Sequence, residues 1–94
     1  MTLTAYSLHT MVPTYIEPYE RGEDRGELRI GWASWDKNFR DRSIKWAYRD
    51  SSGKISRGCT ELPFDVLVEM VLLAQRQGEL PREQIERMRQ AFTT

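Results

Sequence analysis

The apolar pattern of this chain changes period once, near Pro63, and that change decides what it can fold into. From Glu27 onward, heavy side chains recur at every second residue. Leu28, Ile30 and Trp32 fall on one side, and Arg29, Gly31 and Ala33 on the other. Ile44-Lys45-Trp46-Ala47-Tyr48-Arg49 repeats the alternation, with Ile44, Trp46 and Tyr48 as the heavier side. Past Pro63 the spacing becomes i, i+3, i+4: Phe64, Leu67, Val68, Val71, Leu72 and Gln75. Period two marks half-buried strands and the 3.6 period an amphipathic helix. Strands followed by helices in a short chain predict an α+β fold: an antiparallel sheet of three to four strands, then one long helix and a shorter C-terminal helix. The 94 residues suit a single domain. It divides into an irregular N-terminal segment (1–26), antiparallel strands (27–62) and helices (63–93).

Turn chemistry punctuates the pattern. Pro13 and Pro18 interrupt the N-terminal segment, leaving Thr14-Tyr15-Ile16 as at best a short strand. The run from Glu20 to Gly26 reads as a polar loop. Asp36 to Asp41 forms a polar turn between two strands. Asp50-Ser51-Ser52-Gly53 is a stronger turn, with Gly53 in the left-handed position. A third strand is expected from Lys54 to about Thr60, interrupted by Gly58. Pro63 suits the first turn of a helix, Asp65 meets its positive end, and Gly78 can cap it. Leu80-Pro81 opens a second helix, to about Phe92, with Ile85, Met88 and Phe92 on its stripe. The first helix is apolar on more than one face. Its second set, Val66, Met70 and Leu73, predicts a homodimer with these residues at the interface.

Several function classes fall away. One Cys, Cys59, cannot make an internal disulfide, which argues against a stapled secreted scaffold. No apolar run approaches the roughly 18 residues of a membrane span, and the N-terminus lacks a signal-peptide pattern. A reducing, cytoplasmic setting is expected. His9 is the one histidine and has no readable partner. Cys59 lacks an adjacent base and reads as an inert thiol. One His and one Cys do not build a zinc site, and no Gly-Lys-Ser/Thr follows the glycines. The expectation is no enzyme, no cofactor and no metal.

The net charge is zero, with 14 Lys+Arg against 14 Asp+Glu, but it is unevenly spread. Residues 28–58 hold eight basic groups against Asp36, Asp41 and Asp50, while both flanking segments are net acidic. Trp32, Trp35, Phe39, Trp46 and Tyr48 share that basic window. Cations that track phosphates and flat rings that stack on bases are the two devices of single-strand binding. The heavier side, with Trp32 and Trp46, is expected as core. The other side is expected to be the open one, presenting Arg29, Trp35, Lys45 and Arg49, flanked by Lys54 and Arg57 and extended by Lys37, Phe39 and Arg40.

From about Leu28 to Leu73 the chain resembles the positive-cofactor-four (p15) type transcriptional coactivators. The residues that carry the likeness are Ile44 to Tyr48, then Asp50-Ser51-Ser52-Gly53, then Arg57-Gly58-Cys59-Thr60, then Pro63. The resemblance implies a Whirly-like fold that binds single-stranded DNA and dimerises. It implies DNA contacts at Lys45, Tyr48 and Arg57, with Trp35 or Phe39 as a stacking aromatic. The expected function is binding of single-stranded nucleic acid, DNA before RNA, in transcription, replication or repair. The alternative is a small protein–protein adaptor or inhibitor that meets an acidic partner with the same basic sheet. A third reading is an accessory subunit of an enzyme.

Overall fold

The computed structural model of the chain describes residues 10–93. His9 lies outside the described residues. The order of elements is β1 (Val12–Pro18), β2 (Gly26–Trp32), β3 (Arg42–Tyr48), β4 (Leu62–Pro63), α1 (Phe64–Arg76) and α2 (Arg82–Phe92). The four strands form one antiparallel sheet in the order β1-β2-β3-β4, so the α+β class holds. The chain divides into two compact units, residues 1–64 and 65–94, where the sequence suggests one domain.

In the first unit, β2 and β3 pair in register over their whole length, from Gly26↔Tyr48 to Trp32↔Arg42. Both strands lie where period two places them. β1 departs from the expectation of an irregular segment over 1–26. Six of its seven residues pair with β2, and an irregularity between Pro13 and Tyr15 leaves Thr14 out of the register. Prolines are tolerated there because β1 is an edge strand, with one side free of ladder bonds. β1 also passes close over Gly31. A Cβ at that position would come within 2.2 Å of the Val12 carbonyl oxygen and 2.7 Å of Pro13 Cα, so only glycine lets β1 approach.

The expected third strand, Lys54 to Thr60, does not form. Ile55 makes a single bridge to Arg49, and the chain then turns through Ser56–Cys59, closed by Cys59 N–H to Ser56 O at 3.4 Å. Tyr48 holds this turn in place. Its N–H donates to Cys59 Sγ at 3.3 Å, and its carbonyl accepts from Ser56 N–H at 2.8 Å. Only Leu62 and Pro63 add to the sheet, opposite Ile44 and Ser43. The turn at Asp50 forms as its chemistry dictates. Gly53 has φ +86°, and Asp50 Oδ1 accepts from Ser52 N–H (2.9 Å), Ser52 Oγ (2.6 Å) and Lys54 N–H (3.1 Å). These bonds, the Ser52 hydroxyl first and then Lys54 N–H, hold the Asp50 carboxyl below its ordinary pKa.

In the second unit, α1 starts at Phe64, one residue after Pro63, with Asp65 in its first turn. It ends at Gly78, whose φ is +70°. Glu79 N–H reaches Ala74 O at 2.9 Å and Gly78 N–H reaches Gln75 O at 3.1 Å, the paired bonds of a left-handed helix cap. Pro81 precedes α2, and its carbonyl accepts from Gln84 and Ile85 N–H at 3.0 and 3.1 Å. No residue of either helix is buried. Leu67, Val68, Val71 and Leu72 of α1 and Met88 and Phe92 of α2 line one wholly apolar groove.

Candidate nucleic-acid interface

Register sorts the side chains of the sheet onto two faces. Leu28, Ile30, Trp32, Arg42, Ile44, Trp46 and Tyr48 share one, joined by Tyr15 and Glu17 from β1. Glu27, Arg29, Gly31, Ser43, Lys45 and Ala47 share the other. The expected assignment of core and open faces is overturned by burial. The fully covered positions, Ser43 and Ala47, lie on the Arg29–Lys45 face, whereas Leu28, Tyr15, Tyr19 and Phe39 are exposed. Gly31 meets the β1 backbone at Val12 and Pro13, and Ser43 Oγ donates to the Glu61 carboxylate.

The first face is an aromatic platform with two groups. At one end the Phe39 ring meets Trp32 edge-on, centroids 6.1 Å apart, and the Arg42 guanidinium lies 4.4 Å over the Trp32 ring. At the other end Trp46 contacts Tyr48 at 5.1 Å and Tyr19 at 6.4 Å. Trp46 Nε1 donates to the Tyr19 carbonyl at 3.3 Å. Both groups are edge-on or tilted pairs, as ring quadrupoles favour.

The β2–β3 loop carries Phe39, one further ring, Trp35, and two cations. Asp36 frames it, accepting from Asn38 N–H (2.9 Å), Arg40 N–H (2.7 Å) and Asp41 N–H (2.7 Å). Those backbone bonds, Asn38 first, then Arg40 and Asp41, hold the Asp36 carboxyl below its ordinary pKa. Trp35 Nε1 donates to Asp41 Oδ2 at 3.0 Å, and Phe39 adopts φ +55°. The frame thus fixes Trp35 and Phe39 while leaving them 45% and 50% exposed. Lys37 and Arg40 are exposed beside them.

Tyr48, Arg49, Lys54 and Arg57 gather at the opposite end of β3, about 20 Å away by strand rise. Arg49 donates through Nη1 to Gly53 O at 3.0 Å, and Lys54 and Arg57 are exposed. Arg29 and Lys45 join neither group. They pair directly across the strands on the covered face. Arg29 Nη2 is 2.6 Å from Glu27 Oε1, and the Lys45 charge acts on Glu61. Two carboxylates therefore offset the two cations expected on an open basic face. Lys45 and Tyr48, both implied as DNA contacts, point to opposite faces.

Glu61 is the residue that sequence reasoning missed. Its Oε1 accepts from Ser43 Oγ (2.7 Å) and Ser34 N–H (2.9 Å), and its Oε2 from Ser34 Oγ (2.5 Å). Burial pushes this carboxyl up. The bonds from Ser34 and Ser43 and the Lys45 charge outweigh burial, so its pKa lies below the ordinary value. Trp32, Arg42 and Trp46 were also missed as surface groups, although their even-numbered alternation placed them together. Cys59 is half-buried, with its Sγ against the Tyr48 backbone. Among the described residues, no three His, Cys, Asp or Glu side chains could hold a metal ion, and no helix is long and apolar enough to cross a membrane.

No known family model matches this chain, and no characterised protein or solved structure is similar enough to count as a relative.

Proposed function

We propose that this protein binds single-stranded nucleic acid, DNA before RNA, along the aromatic face of its sheet, in a transcription, replication or repair role. The observation that carries the reading is the pair of aromatic groups on one open face, Phe39–Trp32–Arg42 and Tyr19–Trp46–Tyr48. Cations stand at both ends of that line: Lys37, Arg40 and Arg42 at one, Arg49, Lys54 and Arg57 at the other. Bases stacking on the rings contribute about 1–3 kcal/mol each, and the terminal cations take the flanking phosphates. Arg29 and Lys45 have no part in this path. The reading is of a binding protein without catalysis, in the reducing cytoplasmic setting that a lone Cys59 suits. Titration of intrinsic tryptophan fluorescence with single-stranded and duplex oligonucleotides tests it: quenching by single strands supports it, and no binding at low salt refutes it.

A second reading, a protein–protein adaptor, draws on the apolar stretch between the two aromatic groups, where Leu28, Ile30 and Ile44 meet. Under that reading oligonucleotides leave the tryptophan signal unchanged. Either function suits a homodimer, because Val66, Met70 and Leu73 of α1 are 39%, 51% and 50% exposed. Covering such side chains removes roughly 25 cal/mol of unfavourable hydration per Å².

A further inference from the structure

The stretch between the aromatic groups has one polar feature. Tyr15, Leu28, Ile30 and Ile44, with Ile16 at the rim, line an open cleft of about 370 Å³, room for one heteroaromatic ring. Glu17 is the one charged side chain in its lining, brought onto this face by its pairing with Leu28. Among the described residues the Glu17 carboxylate has no hydrogen-bond or ion-pair partner. The apolar floor and the unengaged acceptor are adjacent.

Those two features discriminate among bases. A carboxylate accepts and does not donate, so it repels phosphate and any base edge built of acceptors. A single-stranded base has its Watson–Crick edge free. Guanine presents two neighbouring donors there, N1–H and N2–H, which match the two oxygens of a carboxylate as a parallel pair. Cytosine and adenine each offer one amino donor beside a ring nitrogen that the carboxylate repels. Thymine has its N3–H between two carbonyls.

We propose that this cleft is a base pocket that selects guanine within the bound single strand, Glu17 accepting from N1–H and N2–H while the ring lies on Leu28 and Ile30. The proposal rests on the single-strand reading. Glu17 is exposed and unpartnered, so replacing it leaves the fold intact, which a thermal melt verifies.

Three labelled strands of about 12 nucleotides, within the site sizes of single-strand binders, make the test: all thymine, thymine with one central guanine, and thymine with one central inosine, which lacks the 2-amino group. Each is titrated by fluorescence anisotropy against wild type, Glu17→Gln and Glu17→Ala. Wild type should bind the guanine strand about tenfold tighter than all thymine, the order expected for one bidentate base contact, with inosine between. Both variants should bind the three strands alike. Equal wild-type affinity for guanine and thymine strands overturns the pocket, as does a guanine preference that survives in both variants. If the wild type binds the all-thymine strand without discrimination, only the pocket falls. If it binds none of the three, the single-strand reading falls with it.

Discussion

The Arg42 guanidinium lies 4.4 Å over the ring of Trp32, its cross-strand partner at the end of the β2–β3 ladder. The stack joins the one strand cation of the aromatic face to one of its two tryptophans and closes the end from which the Asp36-framed loop departs. Arg42 Nη2 also donates to Thr14 Oγ1 at 2.5 Å, so the same side chain ties in the edge strand. A cation over an exposed ring contributes about 0.5–1 kcal/mol. A double-mutant cycle in urea, with Arg42→Met and Trp32→Leu, should return a coupling of about that size. Additive effects would mean that the stack contributes nothing.

A different carboxylate governs stability. Glu61 holds the segment before β4 to Ser34 and Ser43, and Ser43 is fully buried. Glu61→Ala leaves those donors without an acceptor, at a cost of about 1–3 kcal/mol. The pH dependence follows from the direction of the shift. The folded carboxyl has a lower pKa than the unfolded one, about 4.3 for glutamate, so its contribution is present above that value and is lost as pH falls through the folded value. The urea midpoints of wild type and Glu61→Ala should therefore differ near neutral pH and converge in acid, as the pH falls through the folded carboxyl's value. A difference that is constant over this range contradicts the clip.

Association is predicted through α1. Met70→Glu places a charge in the middle of the exposed Val66–Met70–Leu73 stripe. Wild type should elute with the mass of two chains by light scattering and Met70→Glu with that of one, each retaining helical circular dichroism. A wild-type mass of one chain at high concentration rules the dimer out.

How far the sequence could be read depends on which signal each element carries. β2, β3, the Asp50–Gly53 turn and the Gly78 cap rest on local rules, alternation and left-handed glycine, and these stand in the structure. β1 was obscured because Pro13 and Pro18 veto a central strand but not an edge one, and edge position is not visible locally. The strand expected at Lys54–Thr60 fails because Tyr48 engages Cys59 and Ser56 in a turn, a contact between residues far apart in sequence. The faces were inverted for a related reason. Large aromatics suggest a core, yet the buried positions of the β2–β3 ladder are the small Gly31, Ser43 and Ala47. The loop residues Trp35, Lys37, Phe39 and Arg40 are exposed, but Arg29 and Lys45, whose patch they were expected to extend, lie on the covered face. Lys45 was misplaced because Glu61, whose carboxylate its charge acts on, is far from it in sequence, whereas Glu27 lies two residues from Arg29 on the same strand and was legible as its partner.

Rings on the open face are proposed to stack on unpaired bases. The affinity of wild type is compared with that of a Phe39→Ala/Tyr48→Ala variant for one single strand and for its duplex, across a salt series. Wild type should prefer the single strand, and the variant should lose affinity about tenfold or more, as expected for one or two lost stacking contacts. The salt slope should be unchanged, at about −0.7 per phosphate contact. Equal affinity for single strand and duplex, or a variant that binds as wild type does, would contradict this stacking.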